Sequence, residues 1–357
     1  AYIQQGIPLI GTTKIMPSGG FLYMDGQQLW RDVQGGLLPL LWEQIKMVRA
    51  WGKQGGAILA VGDIVPLLLA WLSGANYAFV GTAKSEYYLR DEASVLPRPS
   101  WWDDRLQIWS RSVYYPWERW LMSRPRCKAV FPRDLLTTKR LQQWPIPAFD
   151  LGNPMMDDLE PNITGPRFYG LEAIQQEQAR SLTITLLPGS RAPEAYANWQ
   201  LILEAVSGVI EVFQRQSVLF LAAIAPWLSL DLLRQSLEAQ GWLQSTNGPE
   251  LKLPISDPTA IIFSQKKATL ILTQKAFGDC LHASDLAIAM TGTATEQFVG
   301  LGKPAIAIPG PGPQFNPSFA EAQSRLLGPS LIVVNQPQEV ASVIQSLLRD
   351  PDRLQLI

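Results

Sequence analysis

The sequence predicts an α/β protein with parallel sheets, because two stretches read as a buried strand, a tight glycine-bearing turn and a helix. In the first, the apolar strand Leu182–Leu187 runs into a Pro-Gly-Ser-Arg turn at residues 188–191 and a long amphipathic helix. In the second, the apolar run 286–290 ends at Thr-Gly-Thr (291–293), and another buried run, 305–308, follows the helix. Strands that alternate with helices in this way predict doubly wound domains.

Both turns are candidates for binding a nucleotide. In a βαβ unit the helix begins at the carboxyl end of a parallel strand, where unpaired N–H groups and the helix dipole favour an anion such as a diphosphate. The alternative for the second turn needs no ligand, since Thr293 and Glu296 have the spacing of a capping box. The candidate residues of the two turns and the second helix start are Gly189, Ser190, Arg191, Thr291, Gly292, Thr293, Ala294, Thr295 and Glu296.

Two motifs, Leu-Leu-Pro-Gly-Ser-Arg at 186–191 and Thr-Gly-Thr-Ala-Thr-Glu at 291–296, resemble the donor domain of the lipid-A-disaccharide synthases. The sequence resembles a cyanobacterial group of synthase-related proteins more closely, and the similarity extends to residues 60–74, 78–89 and 129–159. The resemblance implies a cytoplasmic, metal-independent, inverting glycosyltransferase of the GT-B type, with two Rossmann-like domains facing a cleft. It also implies that a UDP-sugar donates a hexosyl or N-acetylglucosaminyl group to a lipid or acylated-sugar acceptor.

The resemblance also predicts the domain organisation. An acceptor-binding domain spans residues 1–155, a linker 156–180 and a donor-binding domain 181–357. A domain of the first kind should open with a strand and a glycine-bearing turn, whereas this sequence starts like the end of a helix followed by a strand at 7–10. We therefore expect the first strand and helix, and a C-terminal helix, to be missing from the sequence.

Composition excludes several function classes. The chain of 357 residues suffices for two domains, and its formal net charge of −1 gives no electrostatic reason to bind nucleic acid. Cys127 and Cys280 form no disulfide framework, which fits a reducing cytoplasm, and the single His282 argues against a histidine-rich metal site or a Ser-His-Asp hydrolase. The longest apolar tract, 57–72, is interrupted and too short to span a bilayer. We predict no metal, no cofactor and no integral membrane segment.

Asp63 is the candidate catalytic base. It follows the predicted strand 57–61, and a carboxylate at the carboxyl end of a parallel strand faces the ligand crevice. Inversion at an anomeric carbon needs a group that takes the proton of the acceptor hydroxyl. The alternative role for Asp63 is the N-cap of the next helix. The synthases carry Gly-Ile-Asp-x-Pro-Asp where residues 62–67 read Gly-Asp-Ile-Val-Pro-Leu, so one carboxylate is shifted and the other absent.

Two other carboxylates compete with Asp63 for the role of base. Glu86 and Asp91 follow the predicted strand 77–80 and lie further along the chain. We expect residues 84–86 (Lys-Ser-Glu) to form a solvated helix face, which favours Asp63.

Residues 100–128 are unusually rich in tryptophan and arginine. Aromatic rings beside cations suit the headgroup layer of an anionic membrane, which predicts peripheral contact with a membrane or lipid acceptor. The alternative is a core-packed helix pair with a solvated basic face. Nucleic acid is not predicted, because no OB or RRM pattern accompanies the segment. The candidate contact residues are Trp109, Trp117, Arg119, Trp120 and Arg124.

Further donor-site candidates lie in two loops. The resemblance implies that Phe277 and Gly278 hold the base of the nucleotide, with Phe277 as a core residue the alternative. A Pro/Gly loop and the helix after it supply polar side chains for sugar hydroxyls, namely Gln314, Asn316 and Gln323. The region 243–267 has no regular pattern that predicts an element.

Two other functions stay open beside glycosyl transfer. A UDP-sugar epimerase could use the same fold, although histidine and paired carboxylates are scarce in the first domain. A nucleotide-sugar-binding protein without catalysis would account for the absent second carboxylate near Pro66.

Overall fold

The computed structural model of the chain describes residues 33–96, 109–162, 181–245, 254–312 and 314–357, together with Gly6, Pro8 and Ile10. The chain divides into two compact units, which we call unit 1 (Ala1–Met155) and unit 2 (Met156–Ile357). The strand predicted at residues 7–10 falls mostly outside the described residues.

Unit 1 contains a parallel three-stranded sheet in the order β1-β2-β3. A helix that begins at Leu37 precedes the first strand, and the first two strands appear where the sequence predicted them, at 57–61 and 77–80. A 3₁₀ turn, Glu86–Tyr88, follows β2. The strands are β1 (Ala57–Gly62), β2 (Asn76–Gly81) and β3 (Cys127–Pro132), and the helices are α1 (Leu37–Gly52), α2 (Ile64–Leu72), α3 (Pro116–Met122) and α4 (Leu135–Leu141).

The two faces of this sheet differ in burial. Ala60, Phe79 and Val130 lie in register across the three strands, and all three are buried. Leu59 and Val61 point to the opposite face, because side chains alternate along a strand, and both are exposed. The core of unit 1 therefore lies on one side of its sheet.

Unit 2 contains an eight-stranded sheet in the order β11-β10-β9-β4-β5-β8-β7-β6. Six parallel strands follow the doubly wound 3-2-1-4-5-6 order, and an antiparallel pair extends one edge. This antiparallel pair was not predicted, because the region 243–267 in which it lies has no regular pattern. The strands are β4 (Leu182–Leu187), β5 (Val218–Ala223), β6 (Leu243–Gln244), β7 (Ile261–Gln265), β8 (Ala268–Thr273), β9 (Leu286–Ala289), β10 (Ala305–Ala307) and β11 (Leu331–Val333).

The helices of unit 2 bury the central strands. Every residue of β4 is buried, as expected of a central parallel strand covered on both faces. The long helix after β4 buries Trp199, Ile202 and Val206 at helical spacing. The helices are α5 (Glu194–Val212), α6 (Leu230–Ala239), α7 (Phe277–Ala283), α8 (Thr293–Gly300), α9 (Pro317–Leu327), α10 (Val340–Arg349) and α11 (Pro351–Gln355), and 3₁₀ turns lie at Pro154–Met156, Gly328–Ser330 and Pro337–Glu339.

The first residues of the predicted linker belong to unit 2. Leu159 is buried in its core, and the backbone N–H of Asn162 donates to Asp279 Oδ1 at 2.6 Å. Met156 packs so closely on Gly300 that a Cβ at this glycine would lie 2.5 Å from the methionine Cε. Residues 163–180 of the predicted linker lie outside the described residues.

Lys303, in the turn before β10, forms hydrogen bonds with the C-terminal end of α7. Its Nζ donates to the carbonyl oxygens of Leu281, His282 and Ser284 at 2.8, 2.6 and 2.7 Å. The last carbonyls of a helix have no partner within the helix, and a cation there also favours the helix dipole. This lysine therefore stabilises the start of β9, which follows α7 directly.

We expect Lys303→Met to lower the free energy of unfolding by about 1–3 kcal/mol, because partly buried carbonyls lose charge-assisted donors. Urea denaturation would show a lower midpoint at an unchanged slope. Lys267→Met, at an exposed lysine, is the matched control. Equal midpoints for the two variants would contradict this role of Lys303.

Candidate nucleotide site and a second carboxylate site

The two predicted turns lie side by side in unit 2. β4 and β9 are neighbouring parallel strands, with Leu187 opposite Ala289, and the N–H of Met290 donates to the carbonyl of Leu187 at 2.9 Å. The strand order reverses at this pair, and ligands of doubly wound sheets bind outside the carboxyl ends of the strands at such a point. The residues predicted for a diphosphate therefore meet at the expected edge of the sheet.

The first turn depends on glycine. Gly189 has a φ of 107°, a backbone conformation that other residues rarely adopt. Ser190 and Arg191, which follow, are exposed, and Trp227 Nε1 donates a hydrogen bond to the carbonyl of Ser190. The turn thus presents an exposed arginine at the end of β4.

The start of α8 is capped differently from the predicted alternative. Gly292 is the N-cap residue, and Thr293 is already helical, so the predicted capping box of Thr293 and Glu296 is wrong. The turn is stabilised instead by Thr291 and Thr295, since Thr295 N donates to Thr291 Oγ1 at 3.1 Å and Thr295 Oγ1 to the Thr291 carbonyl at 2.7 Å. Because Thr291 takes the N–H of Thr295, the first two N–H groups of α8, those of Thr293 and Ala294, are the ones suited to an anion.

The other residues of this turn differ in exposure. Thr293 is exposed and Ala294 is half-buried. Thr295 is completely buried, which suits its contacts with the turn backbone, and Glu296 is buried one turn into α8.

Glu194, which the sequence analysis missed, holds the Pro/Gly loop in place. This buried carboxylate at the start of α5 accepts hydrogen bonds from the backbone N–H of Gln314 at 3.1 Å and of Phe315 at 2.8 Å. A Cβ at Gly312 would lie 2.3 Å from the glutamate Cδ, so the loop passes directly over the carboxylate. Asn316 ends the loop as the N-cap of α9 and accepts from Phe319 N at 2.9 Å.

Two buried amide side chains support the two turns from behind. Asn198 Nδ2 donates to the carbonyl of Pro188, and Gln323 Nε2 donates to the carbonyl of Gly292, each at 3.0 Å. Gln323 is completely buried, so its place in the fold is that of a support for the turn. Asn198 could have been found from the sequence only as a polar residue on the buried face of α5, four residues after Glu194.

Phe277 and Gly278 begin α7. Phe277 is partly buried against the core of unit 2, as its alternative prediction states. A Cβ at Gly278 would lie 3.1 Å from the carbonyl oxygens of Leu159 and Glu160, so this glycine allows the chain at 159–160 to pass closely. Their role in base binding stays a prediction.

Asp63 lies at the carboxyl end of β1 in unit 1. It occupies the N-cap position of α2 but makes no side-chain capping hydrogen bond. Its side chain is 31% exposed, and Oδ1 is buried and accepts no hydrogen bond from the described residues. Lys84 Nζ, which follows β2, lies 3.8 Å from Oδ1. The carboxylate is therefore held near a cation without being used as a cap.

Lys84 also contacts a second carboxylate and two aromatic rings. Its Nζ donates to buried Glu118 at 2.6 Å and lies 5.6 and 5.2 Å from the ring centroids of Tyr114 and Tyr115. Burial raises the pKa of Glu118, against the lowering effect of the lysine charge. One lysine thus contacts two carboxylates at the carboxyl ends of the strands.

The expected solvated face at residues 84–86 is wrong. Glu86 is 0% exposed, and its carboxylate accepts from the backbone N–H of Val113 and from Arg90 Nε, both at 2.9 Å. The Glu86 side chain therefore stabilises the fold of unit 1 through these hydrogen bonds. Asp91 is different, because hydrogen bonds from the backbone of Ser94 and Ala93 lower the pKa of this surface carboxyl.

The aromatic segment is both packed and exposed. α3 buries Leu121 and Met122, whereas Trp109, Trp117 and Trp120 are 64%, 50% and 45% exposed. Hence the two predicted alternatives are not exclusive.

Cations accompany these exposed rings. The Arg124 guanidinium lies 4.3 Å from the ring centroid of Trp120, and Arg119 Nη1 donates to the carbonyl of Ser110 at 2.6 Å. None of the helices in the described ranges is long and apolar enough to cross a bilayer.

Comparison with known proteins supports the fold. No family model and no curated protein matches the sequence. A protein provisionally assigned as a UDP-N-acetylglucosamine 2-epimerase from Listeria monocytogenes matches with a TM-score of 0.50 and 13% identity, over 88% of this chain and 72% of its own. Identity this low shows the fold alone, which is the α/β, two-domain GT-B type.

Two weaker structural matches are to other sugar enzymes. The UDP-GlcNAc 2-epimerase of Neisseria meningitidis bound to UDP-GlcNAc matches with a TM-score of 0.47 and 13% identity, over 93% of this chain and 77% of its own. MurG of Acinetobacter baumannii matches with a TM-score of 0.45 and 12% identity, over 97% and 78%.

We expect Glu194→Gln to weaken UDP binding roughly tenfold, because a charge-assisted contact worth about 1.5 kcal/mol no longer holds the loop that carries Gln314 and Asn316. Isothermal titration calorimetry would measure the change. Glu204→Gln, at an exposed glutamate on the same helix, is the control. If both variants bind UDP like the unchanged chain, the loop is not part of the nucleotide site.

Proposed function

We propose that this protein is a UDP-sugar-dependent glycosyltransferase similar to the lipid-A-disaccharide synthases. In this proposal unit 2 binds the UDP-sugar, and unit 1 supplies the base and binds a lipid or acylated-sugar acceptor. The observation that carries it is the meeting of the Pro-Gly-Ser-Arg and Thr-Gly-Thr turns at the reversal of strand order in unit 2. No metal takes part, and sequence and fold together support the class of donor.

The donor half of the proposal assigns one task to each turn. Arg191, exposed after β4, forms a charge-assisted fork with the diphosphate, and the N–H groups of Thr293 and Ala294 at the start of α8 donate to the same anion. Glu296 accepts from the ribose hydroxyls. Gln314 and Asn316 serve the sugar hydroxyls from the loop that Glu194 holds. When the sugar is transferred, this cationic surrounding stabilises the leaving UDP.

In the transfer step Asp63 acts as the general base. The carboxylate takes the proton of the acceptor hydroxyl as its oxygen attacks the anomeric carbon, and the bond from that carbon to the diphosphate oxygen breaks. UDP leaves with the bonding electron pair, and the configuration inverts. The support is that Asp63 Oδ1 is buried, makes no cap and accepts no hydrogen bond from the described residues. Lys84 holds the carboxylate in place from 3.8 Å.

The acceptor half of the proposal rests on the exposed rings of unit 1. Trp109, Trp117 and Trp120 place indole surface at the protein exterior, and Arg119 and Arg124 lie beside them. Such a surface suits the interfacial layer of a membrane, where a lipid acceptor is available. We therefore propose peripheral contact with a membrane through this surface and a cytoplasmic site of action.

A second candidate function is a UDP-sugar epimerase, favoured by the fold match with the Listeria protein. An epimerase changes a stereocentre of the sugar while it stays attached to UDP, and it needs no acceptor. Incubation with UDP-sugars in the absence of any acceptor separates the two functions. A stereoisomer of the donor supports epimerisation, whereas slow release of UDP and free sugar supports transfer to water by a glycosyltransferase.

We expect Arg191→Lys to weaken UDP binding roughly tenfold although the charge is kept, because lysine cannot form the two-pronged contact. Glu296→Gln should weaken UDP more than inorganic diphosphate, which has no ribose. Calorimetric titration of both ligands measures the two effects. Unchanged UDP affinity in both variants would remove the donor-site assignment.

We expect Asp63→Asn to lose about 10²- to 10⁴-fold in turnover and to keep its affinity for UDP-sugar, because the amide cannot accept the proton. The measurement is the rate of UDP release with the acceptor present. Asp150→Asn, at an exposed aspartate of unit 1, is the control. Turnover that is preserved in the Asp63 variant would require another base.

A further inference from the structure

Unit 1 gathers four arginines around one backbone carbonyl and one indole ring. Arg90 Nη2 and Arg140 Nε donate to the carbonyl oxygen of Arg111 at 3.3 and 2.9 Å. The Arg119 and Arg140 guanidinium carbons lie 4.0 and 5.6 Å from the ring centroid of Trp144. We call these four residues, Arg90, Arg111, Arg119 and Arg140, the arginine cluster.

In the part of the chain that the structure describes, the positive charges of the cluster outnumber the carboxylates that act on them. Arg90 Nε pairs with Glu86 at 2.9 Å, and this carboxylate is completely buried. Within the ranges given above, Arg111, Arg119 and Arg140 have no carboxylate within 4.0 Å. Among the described residues, Glu86 is thus the one carboxylate that pairs directly with the cluster, and Glu118 acts on Arg119 from a greater distance.

The proximity of these like charges, together with burial, disfavours the protonated form of two of the arginines. Burial lowers the pKa of Arg140, and the neighbouring charges of Arg90 and Arg111 lower it further, while Glu86 opposes them. Burial likewise lowers the pKa of Arg119, and Arg140 adds to this effect while Glu86 and Glu118 oppose it. Guanidinium groups stay protonated at neutral pH, so the repulsion between them is reduced by binding an anion and not by losing a proton. Its planar fork matches the oxygens of a phosphate group.

The exposed rings indicate where that phosphate comes from. Arg111 lies two residues after exposed Trp109, and Arg119 lies on α3 between exposed Trp117 and Trp120. Indole rings favour the headgroup layer, where phosphate and apolar chain meet. We propose that the arginine cluster is a binding site for the phosphate of an anionic lipid headgroup. The inference rests on the membrane contact proposed above and adds the residues that recognise the lipid.

Arg111→Asn in the full chain tests the site. The side chain of Arg111 is exposed, and its φ of 55° is one that asparagine tolerates, so the variant removes a charge without backbone strain. We expect about fivefold weaker binding to vesicles of phosphatidylglycerol and phosphatidylcholine, the effect of one surface cation. Lys139→Gln removes the same charge from the exposed residue next to Arg140 and should bind like the unchanged chain.

The outcomes separate a site from general attraction. Equal losses for Arg111→Asn and Lys139→Gln would overturn the proposal, because bulk charge alone would then explain binding. It would also be overturned if inorganic phosphate raised the melting temperature of the unchanged chain while phosphatidylglycerol vesicles were not bound. UDP affinity, titrated in the same samples, should be equal in all three proteins. Failure of the unchanged chain to bind UDP would count against the proposed function and leave the lipid site standing.

Discussion

The parallel pairing of β4 with β9 is the constraint on which the rest of unit 2 depends. The pair runs from Ile184 opposite Leu286 to Leu187 opposite Ala289, so both strands end at the same level. The strand order reverses at this pair, which is the position where doubly wound sheets bind their ligands. The turns that follow β4 and β9 therefore lie beside each other at that position. Every residue of both strands is buried, so a slip of one residue would exchange the side chains packed on the two covered faces, and close packing there fixes the register.

Backbone groups of the turns and the loop at this edge form hydrogen bonds with side chains, because no neighbouring strand pairs with them. Asn198 and Gln323 each donate one amide hydrogen to a turn carbonyl, and Glu194 gathers two backbone N–H groups of the loop after β10. All three side chains are buried, where an unsatisfied backbone group would be costly. The shape of the candidate donor site is therefore set by side chains of α5 and α9 that lie behind it.

Unit 1 differs because its charged groups face one another. Lys84 contacts both Asp63 and Glu118, and Arg90 and Arg140 donate to the carbonyl of Arg111 within the arginine cluster. Charges brought together without full compensation reduce stability, and such sites are common where a protein binds or transforms a ligand. This contrast underlies the functions proposed for the two units. The backbone geometry of unit 2 suits nucleotide binding, and the charged side chains of unit 1 suit proton transfer and lipid binding.

The sequence by itself determined the features that depend on neighbouring residues. Strand β4 begins and ends where its apolar run predicted, and glycine marks both turns, because burial and backbone conformation are encoded within a few residues. Only the tertiary structure decided that Glu86 is buried, that β6 and β7 extend the sheet, and that Glu194 holds the loop. Glu194 and Phe315 are 121 residues apart, and a polar residue's partner at that distance leaves no local pattern. Hydrophobic periodicity records which side of an element faces inward, whereas the identity of the group it meets there is fixed by the packing of the whole unit.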